Sequence, residues 1–180
     1  VYETILLLGK ITDTQDITGT ILREQEVTCS KEQVTKAAIG FVGTYNQIPP
    51  MYSALKVDGK KLCDLARAGI EVERKPRKVT IFSIEIIEIA LPRVKMRVHC
   101  SKGTYIRTLC HDIGEQLGCG GCMETLLRTR VSEFELKHAS KLQEIEERVK
   151  NFWEKNPQVE LSKEALQELI KDTDYVFRQY

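Results

Sequence analysis

The chain has 180 residues, with 27 Lys and Arg against 26 Asp and Glu, for a net charge of +1. That balance excludes a uniformly basic nucleic-acid coat, so any polyanion site must be a local patch. Apolar residues make up 42% of the sequence, enough for the core of one domain, or of one domain and a small second unit. There is no run of about 18 apolar residues and no signal-peptide pattern, so the chain reads as a soluble, cytoplasmic protein with no membrane partner. It begins with Val1 inside a strand-like segment, which reads as a piece of a longer protein.

Residues 1–9 predict a strand, followed by a polar loop with Asp13, Asp16 and Gly19. The two aspartates are expected to bond nearby backbone N–H groups and so fix the loop, rather than to bind metal or catalyse. Ser30 with Gln33 forms a capping box opening a helix whose buried side is Val34, Ala37, Ala38, Phe41 and Val42, with Gly43 as its stop. Pro49-Pro50 forces an extended path. Asp58-Gly59 is a hairpin turn between 54–57 and 60–62, and Leu62, Leu65 and Ala66 predict a short helix closing at Gly69. Arg74-Lys75-Pro76-Arg77-Lys78 is a basic loop, either a solvated face or a phosphate contact. Residues 79–91 predict one long strand. The alternation of Val94, Met96 and Val98 with Lys95, Arg97 and His99 predicts a half-buried one.

Ser101-Lys102-Gly103 breaks that strand, and Ile106, Leu109, Cys110, Ile113 and Leu117 form a helical stripe stopped by Gly118. Tyr105 and Arg107 sit where strand becomes helix. If the junction is extended, they point the same way; if the helix has begun, they diverge by roughly 200°. A further strand or edge segment is expected over 126–134, carrying Arg128 and Arg130. Two helices follow. One starts at Ser140 with Gln143 in the capping-box position and a stripe of Leu142, Ile145, Val149, Phe152 and Trp153, ending at Asn156-Pro157; the other starts at Ser162. Cys119-Gly-Gly-Cys122 has the spacing of half a zinc site but lacks a second close ligand pair, so the six cysteines read as reduced thiols and no metal is expected.

The segment Cys100-Ser-Lys-Gly-Thr-Tyr-Ile-Arg-Thr-Leu109, with Asp112-Ile-Gly114 and Leu117-Gly-Cys-Gly120, closely resembles bacterial tRNA pseudouridine synthase B, the TruB family. Four further blocks agree in order: Leu8-Gly9 with Thr12-Asp-Thr-Gln-Asp16 and Gly19; Gln47-Ile-Pro-Pro-Met-Tyr-Ser-Ala-Leu-Lys56 with Gly59; Ala66-Arg-Ala-Gly69; and Leu127-Arg-Thr-Arg130 with Phe134. The resemblance spans roughly residues 2–134.

It implies an α+β fold, a mixed and largely antiparallel sheet with packed helices, here partial. It divides the chain into 1–136, the C-terminal part of a catalytic domain, and 137–180, a helical extension without the strand-rich RNA-binding domain often found there. The implied activity is isomerisation of uridine 55 in the T-loop of tRNA to pseudouridine, without cofactor or metal. The C–N glycosidic bond breaks, the detached base rotates, and C5 joins the ribose. The implied partner is the T-stem-loop of tRNA, bound by a monomer, and the nucleotide must be flipped out of its loop. By the same resemblance Tyr2 stacks on the flipped base, Tyr105 is the second tyrosine of the pocket, Arg107 pairs with the catalytic aspartate, and Leu126 lines the pocket. Lys56, Lys102, Arg128 and Arg130 are candidate phosphate contacts.

Two departures qualify this. The family's aspartate lies in a Gly-x-Leu-Asp-x-x-Ala-x-Gly segment upstream of the tyrosine matched by Tyr2, and this sequence contains none. The chain is therefore expected to be inactive alone, with Arg107 open to solvent, holding an anion or rearranged. Leu127-Arg128-Thr129 stands where the family usually has two consecutive arginines. A non-catalytic module that grips structured RNA is the alternative.

Overall fold

The structure is a computed structural model that describes residues 1–155. In chain order the strands are β1 (Tyr2–Leu8), β2 (Lys10–Thr12), β3 (Ile21–Glu24), β4 (Gly43–Gln47), β5 (Lys56–Val57), β6 (Lys60–Lys61), β7 (Arg77–Ala90), β8 (Arg93–Cys100), β9 (Gly121–Arg128), β10 (Arg130–Val131) and β11 (Phe134–Glu135). The helices are α1 (Lys31–Ile39), α2 (Leu62–Arg67), α3 (Ile106–Gln116) and α4 (Leu142–Lys155). Two compact units result, Val1–Leu127 and a second beginning at Arg128.

The first unit is built on a five-stranded sheet in the order β4-β7-β8-β1-β9, antiparallel at β4/β7, β7/β8 and β8/β1. The fold is the α+β architecture expected. One face of the sheet is apolar because side chains alternate. Leu6, Leu8, Val94, Met96 and Val98 are buried there with Ile106, Leu109 and Ile113 of α3 and Val34, Ala37 and Ala38 of α1. The other face carries ion pairs, Arg97 with Glu3 and Glu85, and Arg93 with Glu124. On β7 the isoleucines change parity along the strand. Register shifts between Ile81 and Ser83 and between Ile86 and Glu88 absorb the change. Ile81, Ile84, Ile86 and Ile89 therefore all join the core, while Phe82 and Ile87 are left exposed at the two bulges.

Ser30 and Gln33 do close a capping box on α1. Replacing Ser30 with Ala removes the acceptor for the Gln33 N–H and is expected to cost about 1 kcal/mol, read as a lower urea midpoint with an unchanged slope. The helix stops at Gly40, however, not Gly43. Gly43, at φ 109°, instead opens β4, and Val42 is left exposed. The hairpin at Asp58-Gly59 and the short α2 closing at Gly69 stand as expected. The basic run is not all loop: Arg77 and Lys78 begin β7, and half-buried Arg74 donates to the Pro49 carbonyl at 3.2 Å.

Two expectations over the later chain need correction. The strand placed at 126–134 begins earlier, at Gly121, ends at Arg128, and is followed by the separate β10–β11 hairpin. Its first three residues, Gly-Cys-Met, are buried and show no alternation, so no periodic signal marks the strand's start. Helix α4 starts at Leu142, one residue later than a cap at Ser140 predicts: the Lys141 N–H donates to Glu144 Oε2 at 3.0 Å, taking the role assigned to Ser140 and Gln143. The expected stop at Asn156-Pro157 and the helix from Ser162 lie outside the described residues. No helix among the described residues is long and apolar enough to cross a membrane.

Candidate active site

The junction between β8 and α3 is held by main-chain and side-chain bonds that continue the sheet past its last ladder pair. Ser101 N–H donates to the Thr80 carbonyl at 2.8 Å, and Thr80 N–H donates to Ser101 Oγ at 2.9 Å. Thr104 Oγ1 donates to the Ser101 carbonyl at 2.9 Å, which closes the turn through Lys102 and Gly103. Gly103 sits at φ 85°, in the left-handed region that a β-carbon resists.

Tyr105 is then the N-cap of α3, with extended angles of φ −95° and ψ 109°, and the helix begins at Ile106. The two geometries open at the sequence level are thus split between neighbours, extended at Tyr105 and helical from Ile106 onward. Tyr105 supplies no capping side chain. The buried side chain of Gln47, at the end of β4, holds its main chain instead. Gln47 Oε1 accepts the Tyr105 N–H at 2.8 Å, and Gln47 Nε2 donates to the Tyr105 carbonyl at 3.0 Å and to Tyr45 Oη at 2.5 Å. Tyr45 Oη in turn interacts with Asp112, about two turns along α3 from its cap. Arg107 is half-buried and donates from Nη1 to the Tyr52 carbonyl at 3.4 Å. Tyr105 and Arg107 therefore both lean on one segment, Gln47 to Ser53.

Tyr2 lies at the same end of the sheet. It pairs with Val98 near the end of β8, which leads into the junction. Thr4, two residues along β1, donates to the carbonyl of Thr125 at 2.7 Å, so Leu126 of β9 sits beside this end as well, and it is exposed. Lys102 is exposed on the turn. Lys56 is exposed on β5 and lines a cleft of about 340 Å³ with Arg74, Lys75, Arg77, Asp58 and Glu73. Arg128 and Arg130 belong to the second unit. Asp13 and Asp16 fix their loop as expected: Asp13 accepts the Thr20 N–H at 2.8 Å and Asp16 the Thr18 N–H at 3.0 Å. Among the described residues no group of His, Cys, Asp and Glu is arranged to hold a metal ion.

Sequence reasoning assigned no role to Gln47, Tyr45 or Asp112. Gln47 and Asp112 stand in the quoted motif blocks, but a polar residue in a block does not reveal what it bonds to. Burial raises the Asp112 pKa from 3.8 to about 6, opposed by the neighbouring Tyr45 hydroxyl and assisted by Glu115. Burial likewise pushes the Tyr45 phenol well above its ordinary range, helped by the Asp112 charge. Because Asp112 binds its proton more tightly folded than unfolded, folding takes up a proton between roughly pH 4 and 6, and its contribution to stability grows as the pH falls through that window. The expected gain is about 1–2 kcal/mol once solvent screening is counted. Urea melts at pH 4, 5, 6 and 7 should show Asp112→Asn flattening that slope while matching or exceeding the parent's stability at pH 7; an unchanged slope would exclude Asp112 as its source.

A family model described as the N-terminal domain of TruB family pseudouridylate synthase matches residues 1–106, and one for the tRNA pseudouridylate synthase B C-terminal domain matches residues 107–178. The tRNA pseudouridine synthase B of Alkaliphilus oremlandii is 57% identical over 145 residues, covering 81% of this chain and 48% of that protein. That of Clostridium acetobutylicum is 49% identical over 147 residues, covering 82% of this chain and 51% of that protein. The chain thus spans about half the length of the curated relatives it matches. Among solved structures, a crystal structure of a Cbf5-Nop10-Gar1 complex aligns over 96% of this chain and 40% of that one, with a TM-score of 0.63 and 25% identity.

Proposed function

This chain belongs to the TruB family of pseudouridylate synthases, and on that premise we propose that it is the C-terminal part of the catalytic domain of a tRNA pseudouridine synthase. The whole protein isomerises uridine 55 in the T-loop of tRNA, acting as a cytoplasmic monomer. What carries the reading is the junction at Tyr105 and Arg107, clamped on the Gln47–Ser53 segment at the end of the sheet where Tyr2 and Leu126 also lie.

In this account Tyr2 and Tyr105 offer ring faces to the everted pyrimidine, each stacking contact contributing about 1–3 kcal/mol, and Leu126 closes the apolar side. Arg107 stays charged at any working pH and orients the carboxylate that attacks the nucleotide, a group supplied by the segment upstream of Tyr2 in the family. Its present bond, to a main-chain carbonyl at 3.4 Å, leaves it able to turn to a stronger acceptor. Lys56 and Lys102 meet the RNA backbone, with Arg128 and Arg130 as further phosphate contacts, and they position rather than read the RNA.

Release of tritium from C5-labelled tRNA tests this. The protein that carries this chain behind the family's Gly-x-Leu-Asp segment should release label from a transcript with uridine 55 and none when that position is cytidine. The 180-residue chain alone should bind the T-stem-loop without release. Turnover by the isolated chain would contradict the assignment of the nucleophile; binding without turnover by the longer protein would favour a structured-RNA binding module.

A further inference from the structure

We propose that Gln47 is a positioning residue for the base-binding tyrosine, acting through a hydrogen-bonded relay from Tyr105 to Tyr45. The inference rests on the reading of Tyr105 as a pocket residue. Gln47 is 1% exposed, and both hydrogens of its side-chain amide are committed. Its oxygen accepts the Tyr105 N–H, and its two amide hydrogens go to the Tyr105 carbonyl and to Tyr45 Oη. This assigns the amide orientation, because exchanging its nitrogen and oxygen would oppose donor to donor at Tyr105. It also fixes Gln47 as the donor to Tyr45 Oη. The relay therefore runs Tyr105, Gln47, Tyr45, and Asp112 of the helix it holds is the acid that interacts with its end.

Gln47 bonds both polar groups of one residue's main chain, as a neighbouring strand would. It does so at the N-cap of α3, where Tyr105's own side chain makes no capping bond. The ring of Tyr105 is thereby left uncommitted to capping and can serve the base. Sequence supplies the pieces from far apart: Gln47 ends β4, and Tyr105 follows β8. Pro49 and Pro50, both buried, stiffen the chain just after Gln47 and limit how far its backbone can shift.

The test compares Gln47→Met and Gln47→Glu in the full-length enzyme. Met fills the volume and makes none of the three bonds. Glu, neutral in so buried a place, accepts the Tyr105 N–H and donates once. Gln47→Met is expected to lower kcat about 100-fold with KM within about threefold, as a displaced catalytic geometry does. Gln47→Glu should recover at least about tenfold of that loss. Amide hydrogen exchange, measured in the same proteins, should show Tyr105 N–H deprotected in Gln47→Met and protected again in Gln47→Glu. If Met matches or exceeds Glu in kcat, Gln47 is packing only and the proposal fails. If exchange follows the expected order while the parent enzyme shows no turnover, the relay stands and the pocket reading of Tyr105 fails. If Tyr105 N–H exchanges equally in all three proteins, the relay itself is refuted.

Discussion

Replacing Gly114 with Ala is expected to lower the stability of the folded chain by about 3 kcal/mol, the upper end of the cost of overpacking, and its Tm by about 6–12 °C. A β-carbon on Gly114 would stand 2.2 Å from Gly121 N, 2.3 Å from Gly120 C and 2.5 Å from Gly121 Cα. All three are main-chain atoms, and no side chain can rotate away to make room. The approach is close because α3 turns back on its own continuation. Gly120 N–H donates to the Gly114 carbonyl at 2.9 Å, and Gly121, the first residue of β9, lies under the helix with its own missing β-carbon 2.9 Å from Leu6 Cδ1. The contact seats α3 on the sheet and so sets where Tyr105 and Arg107 stand. Gly118→Ala is the control. That residue is at φ 75° with nothing within 4 Å of the added carbon, so only backbone strain is paid, about 1 kcal/mol. Thermal melts should rank the two clearly; equal losses would mean that the helix shifts without cost and that the crossing is not close-packed.

Arg107→Ala should leave the fold nearly unchanged and remove activity. The guanidinium is half-buried and makes one long bond, to the Tyr52 carbonyl at 3.4 Å, with no carboxylate paired to it among the described residues. Its loss should cost less than about 1 kcal/mol of stability. In the full-length enzyme, removing a preorganised charge from the reacting group should reduce kcat by about 100- to 1,000-fold. Arg107→Lys should fall between parent and Ala, because it keeps the charge but loses the planar fork that fits a carboxylate. Unfolding in urea and single-turnover kinetics on the same preparations separate the two effects. A variant that melts with the parent yet turns over normally would remove Arg107 from the chemistry.

The elements legible in the sequence were those with strong local grammar. Ser30 with Gln33, Asp58-Gly59, and the alternation of residues 94–99 each specify geometry within a few residues, and each appears where expected. Boundaries set by long-range packing were not legible. β9 begins at Gly121 because two glycines allow it under α3, a relation between distant backbones with no periodic trace. α4 starts at Leu142, where Glu144 rather than Gln143 reaches back to a main-chain N–H, that of Lys141. The site divided the same way. The motif singled out Tyr105 and Arg107; Tyr105 is the cap of α3 and Arg107 lies in its first turn, so the junction is extended only up to Tyr105. The network that holds that junction was hidden, since Gln47 and Tyr45 come from the far edge strand of the sheet and Asp112 from the side of the α3 stripe. Pairings between residues so separated in sequence carry no local signal.

The central claim is that Tyr2, Tyr105 and Leu126 surround the everted uridine at one end of the sheet. A T-stem-loop RNA carrying 4-thiouridine at the target position, irradiated in complex with the full-length protein and mapped by mass spectrometry, tests it most directly. The account predicts cross-links to Tyr2, Tyr105 or Leu126, lost when Tyr105 is replaced by Ala. Cross-links confined to the charged face of the sheet, around Glu3, Glu85 and Arg97, would contradict it.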